Sequence, residues 1–379
     1  MQKIQVRSYF DGDRLHRNGP YVVEIGDGVY RRIYSGHDSE ARSSDLLIPS
    51  PVESHAHLFL DGDELDSIRR ADYLARPRPQ LLEQARTHAR RYLDAGIRTV
   101  RDAGDIHGIN LALRDEFAAA GLKVIAAGHG LRKNKRYGSF FAREIETFAT
   151  PIEAVKKLAR DVNVIKIVLT GIIDFENGVV KGTPQFTEEE TALIVRVAHD
   201  LGLKTFAHCS GLDGLRIAAA AGVDSIEHGF FMTREILEIM AAKQLAWTPT
   251  LLPVHFQWAH PGYCGWSAAA VAKLRAILDN HEARLREAES LGVPILAGSD
   301  AGSYGARHVH GLQEELNLLR RAGISEATVL RSVTSEPRRQ FNLPPRPVRE
   351  GAPADFSLIN SSQPAPDSID ADSFLLTVK

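Results

Sequence analysis

Apolar residues along the chain fall into two textures. In the first 48 residues they come in short alternating runs, at 2–11 and 21–35, broken at Asp11-Gly12-Asp13 and Gly26-Asp27-Gly28. Alternation is the period of a strand with one buried face, and Asp-Gly pairs form turns, so this stretch reads as β. From residue 49 the texture becomes short apolar runs separated by helical patterns. Strands are predicted at 52–57, 98–102, 123–127, 164–170, 204–209, 225–228, 246–251 and 294–300. Between them, helices are predicted at 80–94, 109–120, 151–162, 188–201, 234–243 and 267–291. Thr187 with Glu190 three residues later forms a capping box, so a helix starts there. Gly96, Gly121, Gly202, Gly222 and Gly292 each follow a helical stretch and precede a strand, where a left-handed glycine ends a helix.

Strand–helix alternation repeated eight times is the pattern of a parallel sheet closed into a barrel. The rival, an open doubly wound sheet, would carry a glycine-rich dinucleotide fingerprint after a strand, and none does. Two further helical stretches, 311–323 and 325–341, precede Leu343-Pro344-Pro345-Arg346-Pro347, a natural boundary. Beyond it β texture returns at 354–360 and 374–378. The expected fold class is therefore α/β. A TIM-like (β/α)8 barrel is expected over 49–345, with a small β-sandwich domain made of both termini, 1–48 plus 346–379.

Composition narrows the partners. The 46 basic and 48 acidic residues give a net charge of −2, which argues against a general nucleic-acid or membrane-surface binder. Two cysteines, Cys209 and Cys264, make no disulfide framework and fit a reducing compartment. No apolar run approaches the roughly 18 residues of a membrane span, and Met1-Gln2-Lys3-Ile4-Gln5-Val6 lacks a signal-peptide stretch. A cytoplasmic protein is expected, with a homo-oligomer left open.

Candidate chemistry gathers at the ends of the predicted strands. His55-Ala56-His57 closes the first, and residues i and i+2 of a strand point to one face. Lys166 stands inside Val164-Ile165-Lys166-Ile167-Val168, where a free ammonium is costly to bury. Either it pairs with an acid across the barrel, or burial lowers its pKa until the neutral amine reacts with carbon dioxide, giving an anionic two-oxygen ligand. His208 and His228 end two successive strands, and Asp300 ends the eighth. Singly each has a bland reading, as a packed histidine or a cap. Together they converge on the C-terminal end of a barrel, where such folds build active sites. Cys209 faces away from His208 and reads as core. His88, His199 and His281, on helices, read as surface residues.

His55-Ala56-His57, Lys166, His208, His228 and Asp300, in this order, resemble the amidohydrolase superfamily, in its branch of Xaa-Pro dipeptidase-like, arginine carboxypeptidase-like and imidazolonepropionase-like enzymes. Gly351-Ala352-Pro353-Ala354-Asp355-Phe356 resembles that family's return into the small β domain. His310-Gly311 to Thr334-Ser335-Glu336-Pro337 resembles its closing helices. The resemblance implies two divalent metal ions: one held by His55, His57, Lys166 and Asp300, the other by Lys166, His208 and His228, with Lys166 carboxylated. Mixed nitrogen and oxygen donors suit zinc, and manganese, iron and cobalt stay open. It also implies Asp300 as the catalytic proton shuttle, and His310 as a residue that contacts substrate or orders its loop.

Two loops depart from the family pattern and are expected to shape the substrate pocket. Asp105 stands where a glycine is common, and after Gly128-His129-Gly130 comes Arg132-Lys133-Asn134-Lys135-Arg136-Tyr137-Gly138. That basic run is either a solvated loop or, through Arg132, Arg136 and Tyr137, a binding site for a substrate carboxylate. The function these residues imply is hydrolysis of a C–N amide bond in a small molecule, a dipeptide or N-acyl amino acid, by metal-activated water. The alternatives are a cyclic amide or lactam hydrolase, a deaminase, or a non-catalytic barrel scaffold. A scaffold would not require all six ligand candidates.

Overall fold

The alternating runs near the start of the chain become β1 (Gln2–Phe10), β2 (Leu15–His16), β3 (Tyr21–Gly26), β4 (Val29–Ser35) and β5 (Arg42–Pro49). The computed structural model describes residues 1–39, 41–147, 150–360 and 375–377. The α/β body supplies β6 (Val52–Ala56), β7 (Thr99–Asp102), β8 (Lys123–Ala126), β9 (Gly130–Arg132), β10 (Ala142–Glu144) and β11 (Val164–Val168). A short hairpin of β12 (Ile173–Asp174) and β13 (Val179–Val180) follows, then β14 (Lys204–Cys209), β15 (Ser225–His228) and β16 (Ala246–Thr248). Near the end of the chain come β17 (Phe356–Asn360) and β18 (Leu375–Thr377).

Both ends of the chain enter one seven-stranded sheet of order β18-β17-β5-β1-β3-β4, with β2 paired to β1. Its apolar face buries Ile4, Val6, Val23, Ile25, Tyr30 and Leu47 against Val348, Ala352 and Leu358. Among the described residues this is a single mixed sheet, β1 and β5 being parallel and β1 and β3 antiparallel. Residues 361–374 and 378–379 of the expected terminal unit lie outside the described residues.

The body is parallel throughout its long ladders. One arc runs β6-β7-β8 and a second runs β10-β9-β11-β14-β15-β16. Seven of the eight predicted strands are present, most of them shorter at their ends. The eighth, 294–300, makes no ladder but is bonded on both sides: Trp247 N donates to Pro294 O at 2.8 Å, and Asp300 N donates to His55 O at 2.8 Å. On the other side of the body, Asn163 N donates to Ala126 O at 2.9 Å, tying the entry of β11 to β8. The predicted strand 246–251 stops at Thr248, because Thr250 takes φ 45° and Leu251 opens a helix, Leu251–Ala259.

Helices cover the outer faces of these strands. Thr187 accepts from Glu190 N while the Glu190 side chain reaches back, so both arms of the capping box close on helix Glu188–Asp200. Gly292 (φ 75°) ends the 24-residue helix Ala268–Leu291. Helix Arg78–Asp94 buries Leu81, Ala85, Ala89 and Tyr92 in the main core. Two histidines depart from expectation here: His88 and His281 are fully buried, whereas His199 is exposed. His88 Nδ1 bonds Leu58 O at 2.9 Å, and His281 stacks on Phe230 with ring centroids 4.0 Å apart. A helix-borne histidine with a carbonyl or an aromatic to meet packs as core.

Candidate metal centre and active site

Parallel strands bring their C-terminal ends to one side, and the predicted ligands meet there. His55 comes from β6, His57 lies just beyond it, Lys166 lies within β11, His208 within β14, and His228 closes β15. Asp300 ends the bridging segment 294–300. Ring centroids of His55 and His228 lie 5.3 Å apart, and those of His208 and His228 lie 4.5 Å apart. His55 Nε2 is 3.5 Å and His57 Nε2 is 3.8 Å from Asp300 Oδ1. The donor atoms of His55, His57 and Asp300 all fall within 4.8 Å of one another, a group able to hold a metal ion. His228 (φ 68°), Thr250 (φ 45°) and Asp300 (φ 52°) take the left-handed region, a strain that packing must hold and that clusters at functional sites.

Neighbouring bonds fix which ring nitrogen faces inward. His55 Nδ1 meets the Glu227 carboxylate at 2.5 Å and so carries the proton, leaving Nε2 for the centre. His57 Nδ1 donates to Gly104 O at 3.1 Å, with the same result. His228 Nδ1 pairs with Thr250 Oγ1 at 2.7 Å, while His208 makes only a long contact from Nε2 to Gly171 O, 3.4 Å. Burial, then the charge of Lys166, pulls His57 down to about 3; the same two causes bring His208 to about 3. At neutral pH these imidazoles are uncharged, with lone pairs free. Burial pushes the Asp300 carboxyl up, against a 2.8 Å bond from Ser303 Oγ to its Oδ2 and the charge of Lys166.

Lys166 is 1% exposed, and its Nζ has no hydrogen-bond partner. It lies 4.5 Å from the centroid of Phe206, and burial lowers its pKa to about 8. An orphaned buried amine beside four neutral histidines and a carboxylate is a donor set that fits divalent cations, provided the amine becomes an anionic ligand.

A supporting layer escaped the sequence reading. Glu227, fully buried, accepts from His55 and also from Arg101 Nη2 at 2.8 Å. Arg101, 2% exposed, donates its Nε to Ser54 O at 2.6 Å and lies over the Phe206 ring at 4.3 Å. Glu53 accepts from Ser299 N and Oγ at 2.9 and 2.7 Å, bracing the segment that ends at Asp300. Each is a charged residue inside a buried strand, which is the signal that singled out Lys166.

The centre opens into a cavity of about 590 Å³. Tyr137 lines it, together with Phe140, Phe141, Phe175, Trp266 and Arg70. Arg132 and Arg136 are absent from that lining. The Arg132 fork is buried in its own loop, donating to Ala142 O, Lys133 O, Arg136 O and Glu144, and Arg136 donates to Thr183 O. His310 is exposed as the first residue of helix His310–Arg321, outside the cavity. Asp105 serves its own helix rather than the pocket: it accepts from His107 N, Ile109 N and Asn110 N at 2.7 to 3.0 Å. A larger cavity, about 840 Å³, lies between the terminal sheet and residues 335–350 and contains none of these groups.

An α/β body with parallel strands thus carries, at one end, a buried histidine–aspartate group able to hold a metal ion. Residues 46–377 match the Amidohydrolase family, and the chain belongs to it. It is accordingly a hydrolase acting on carbon–nitrogen bonds. An uncharacterized Mycobacterium tuberculosis protein is 28% identical over 305 residues, 79% of this chain and 75% of that one. Among solved structures, a Xaa-Pro dipeptidase with bound methionine superposes with a TM-score of 0.75 at 23% identity, covering 95% of this chain and 93% of that one. Aspergillus niger ochratoxinase gives a TM-score of 0.74 at 20% identity, covering 94% and 89%. At these identities the two structures establish the fold.

Proposed function

We propose that this protein is a metal-dependent amidohydrolase that cleaves the amide bond of a dipeptide or N-acyl amino acid. The observation that carries the reading is the orphaned Lys166 amine, buried among His55, His57, His208, His228 and Asp300 at the floor of one cavity. The names of the like-folded dipeptidase and ochratoxinase point the same way. His55, His57, Lys166 and Asp300 would hold one ion, and Lys166, His208 and His228 the second, zinc suiting the mixed donors. The neutral Lys166 amine adds to carbon dioxide, forming a carbamate and releasing one proton. When bound, the two ions supply Lewis acidity and lower the pKa of water.

The chain's own groups do the rest. Asp300 takes the proton of the attacking water and delivers it to the leaving nitrogen. Glu227 and the Gly104 carbonyl hold the two ring tautomers of the His-x-His pair. The aromatic wall keeps bulk water from the bond being cleaved. The architecture that goes with this reading is an eight-stranded barrel over 49–345, closed from the two parallel arcs by 294–300. Residues 1–48 and 346–379 would form its small β-sandwich partner.

Metal analysis together with a hydrolysis screen tests the proposal. The screen covers dipeptides, N-acyl amino acids and lactams with zinc, manganese or cobalt supplied. About two ions per chain and turnover of a linear amide support it. One ion with deamination, lactam opening without amide cleavage, or no metal binding would replace it with the deaminase, cyclic-amide or scaffold reading.

A further inference from the structure

We infer that Arg70 is the carboxylate anchor of the cavity, so that the substrate is an N-acyl amino acid or dipeptide with a free C-terminal carboxylate and a large aromatic or apolar group. The inference rests on the amide-hydrolase reading above and names the group that selects its substrate.

Arg70 projects from helix Ser67–Leu74 into the cavity wall. Its Nη1 donates to Asp61 O, and its Nη2 donates to Gly302 O at 2.6 Å. Both partners are neutral carbonyls. Among the described residues no carboxylate forms an ion pair with this guanidinium; burial works against its charge, and the Asp61 and Asp300 carboxylates, beyond ion-pair distance, partly support it. Gly302 lies two residues beyond Asp300, so the fork is clamped to the loop that follows the catalytic carboxylate. A guanidinium has five N–H donors, and the two carbonyls hold its plane while leaving others for a ligand. A planar fork so held matches a carboxylate in bidentate fashion with little ordering left to do on binding.

The other charges around the cavity do not compete for that role. Lys181 is exposed, near the β12–β13 hairpin. Asp174 turns to Asn177 N and Nδ2, at 3.1 and 2.9 Å, and Glu176 accepts Ser267 Oγ at 3.2 Å. The rest of the wall is mainly apolar, with Leu60, Leu74, Ile172, Ile173 and Val254 beside a cluster of aromatic rings. Phe140 and Phe141 meet edge-on at 4.8 Å with Tyr137 beside them, and Phe175 meets Trp266 edge-on at 5.7 Å. One clamped cation in a chamber of aromatic and aliphatic side chains selects a ligand with one carboxylate and large apolar groups.

The test uses the metal-loaded enzyme with N-benzoyl-phenylalanine, its C-terminal amide and N-acetyl-glycine. Wild type should favour the acid over the amide by roughly ten- to a hundredfold in kcat/KM, the worth of one charge-assisted hydrogen bond. N-acetyl-glycine should be at least about tenfold poorer than the benzoylated acid, for want of aromatic contact. Arg70→Gln should erase the acid preference mainly through KM, Arg70→Lys should keep part of it, and Lys181→Gln should leave it intact. Equal wild-type use of acid and amide overturns the assignment, and that comparison needs no variant to fold. Loss of the preference in Lys181→Gln moves the anchor to the rim and equally overturns it. If no linear amide is hydrolysed, the amide-hydrolase reading fails. Calorimetric binding of N-benzoyl-phenylalanine against its amide then decides the anchor separately, with tighter binding of the acid supporting Arg70 and equal binding removing it.

Discussion

At Lys166 the protein buries an amine with nothing to bond, and a group in that position costs several kcal/mol unless its chemistry changes. Lys166→Ala should therefore keep or raise thermal stability in metal-free protein while binding less metal than the wild type. Short carboxylic acids added to that variant should restore part of the activity by supplying the missing bridge. Elemental analysis beside circular dichroism checks this, and an alanine variant with full metal content removes Lys166 from the centre. The residue was legible because a charge inside an apolar strand demands a reason. The same rule points to Glu53, Arg101 and Glu227, missed because only ligand chemistry was sought in those strands. Arg70 was not legible: Arg69 and Arg70 are adjacent on one helix, and sequence does not say which faces the cavity. The run from Arg132 to Arg136 misled for the converse reason. Charge density in a loop does not reveal that the Arg132 fork turns back onto the loop's own carbonyls while Arg136 bonds the Thr183 carbonyl.

Among the elements, segment 294–300 sets the position of Asp300 without forming a ladder of its own. A short apolar run located it, but the run does not report that the chain bends to φ 52° at its last residue. Its closeness to β6 depends on Gly298: a Cβ there would stand 2.6 Å from Thr248 Cγ2 and 2.9 Å from His55 N. Gly298→Ala must push the segment off the first strand, costing about 1–3 kcal/mol as overpacking does and moving Asp300 from the histidines. Lower melting temperature and weaker metal binding together are expected; unchanged metal affinity would mean the segment tolerates the shift. On β14 and β15 a different device fixes register. Asp224 accepts Lys204 Nζ and His199 Nε2 at 2.7 Å and Thr205 N at 2.8 Å. Burial opposes its charge, but these donors outweigh it and hold its pKa below the ordinary value. A depressed folded pKa contributes stability above the unfolded value, and that contribution is lost as pH falls through the folded one. Asp224→Asn should thus be about 1–2 kcal/mol less stable in urea at pH 7, with the gap to wild type closing below about pH 4. A gap that stays constant down to pH 3 would place the effect in packing instead.

Taken whole, the molecule passes from its terminal sheet into its α/β body with almost no linker. β5 sits inside the terminal sheet, and only Ser50 and Pro51 separate it from β6, which carries the first metal-ligand candidates. The β texture at the two ends was legible, and so was their pairing, since short edge-exposed strands need a partner. The order in the sheet was not, because alternation fixes a strand's face and leaves its neighbour open. β17 comes from the far end of the chain yet pairs antiparallel with β5, from Phe356 opposite Pro49 to Ile359 opposite Leu46. Removing residues 346–379 would strip that ladder and take Val348, Ala352 and Leu358 from the core of the sheet. Each large apolar side chain contributes about 1.5–3 kcal/mol by burial, and a domain's whole stability is on the order of 5–15 kcal/mol. The truncated chain should then lose its cooperative unfolding transition, bind a hydrophobic dye and fail to hold metal, although every ligand candidate remains in it. Calorimetry and metal analysis of the truncated protein check this. A sharp transition with full metal content would show instead that the α/β body stands without its terminal sheet, and that the two parts are independent.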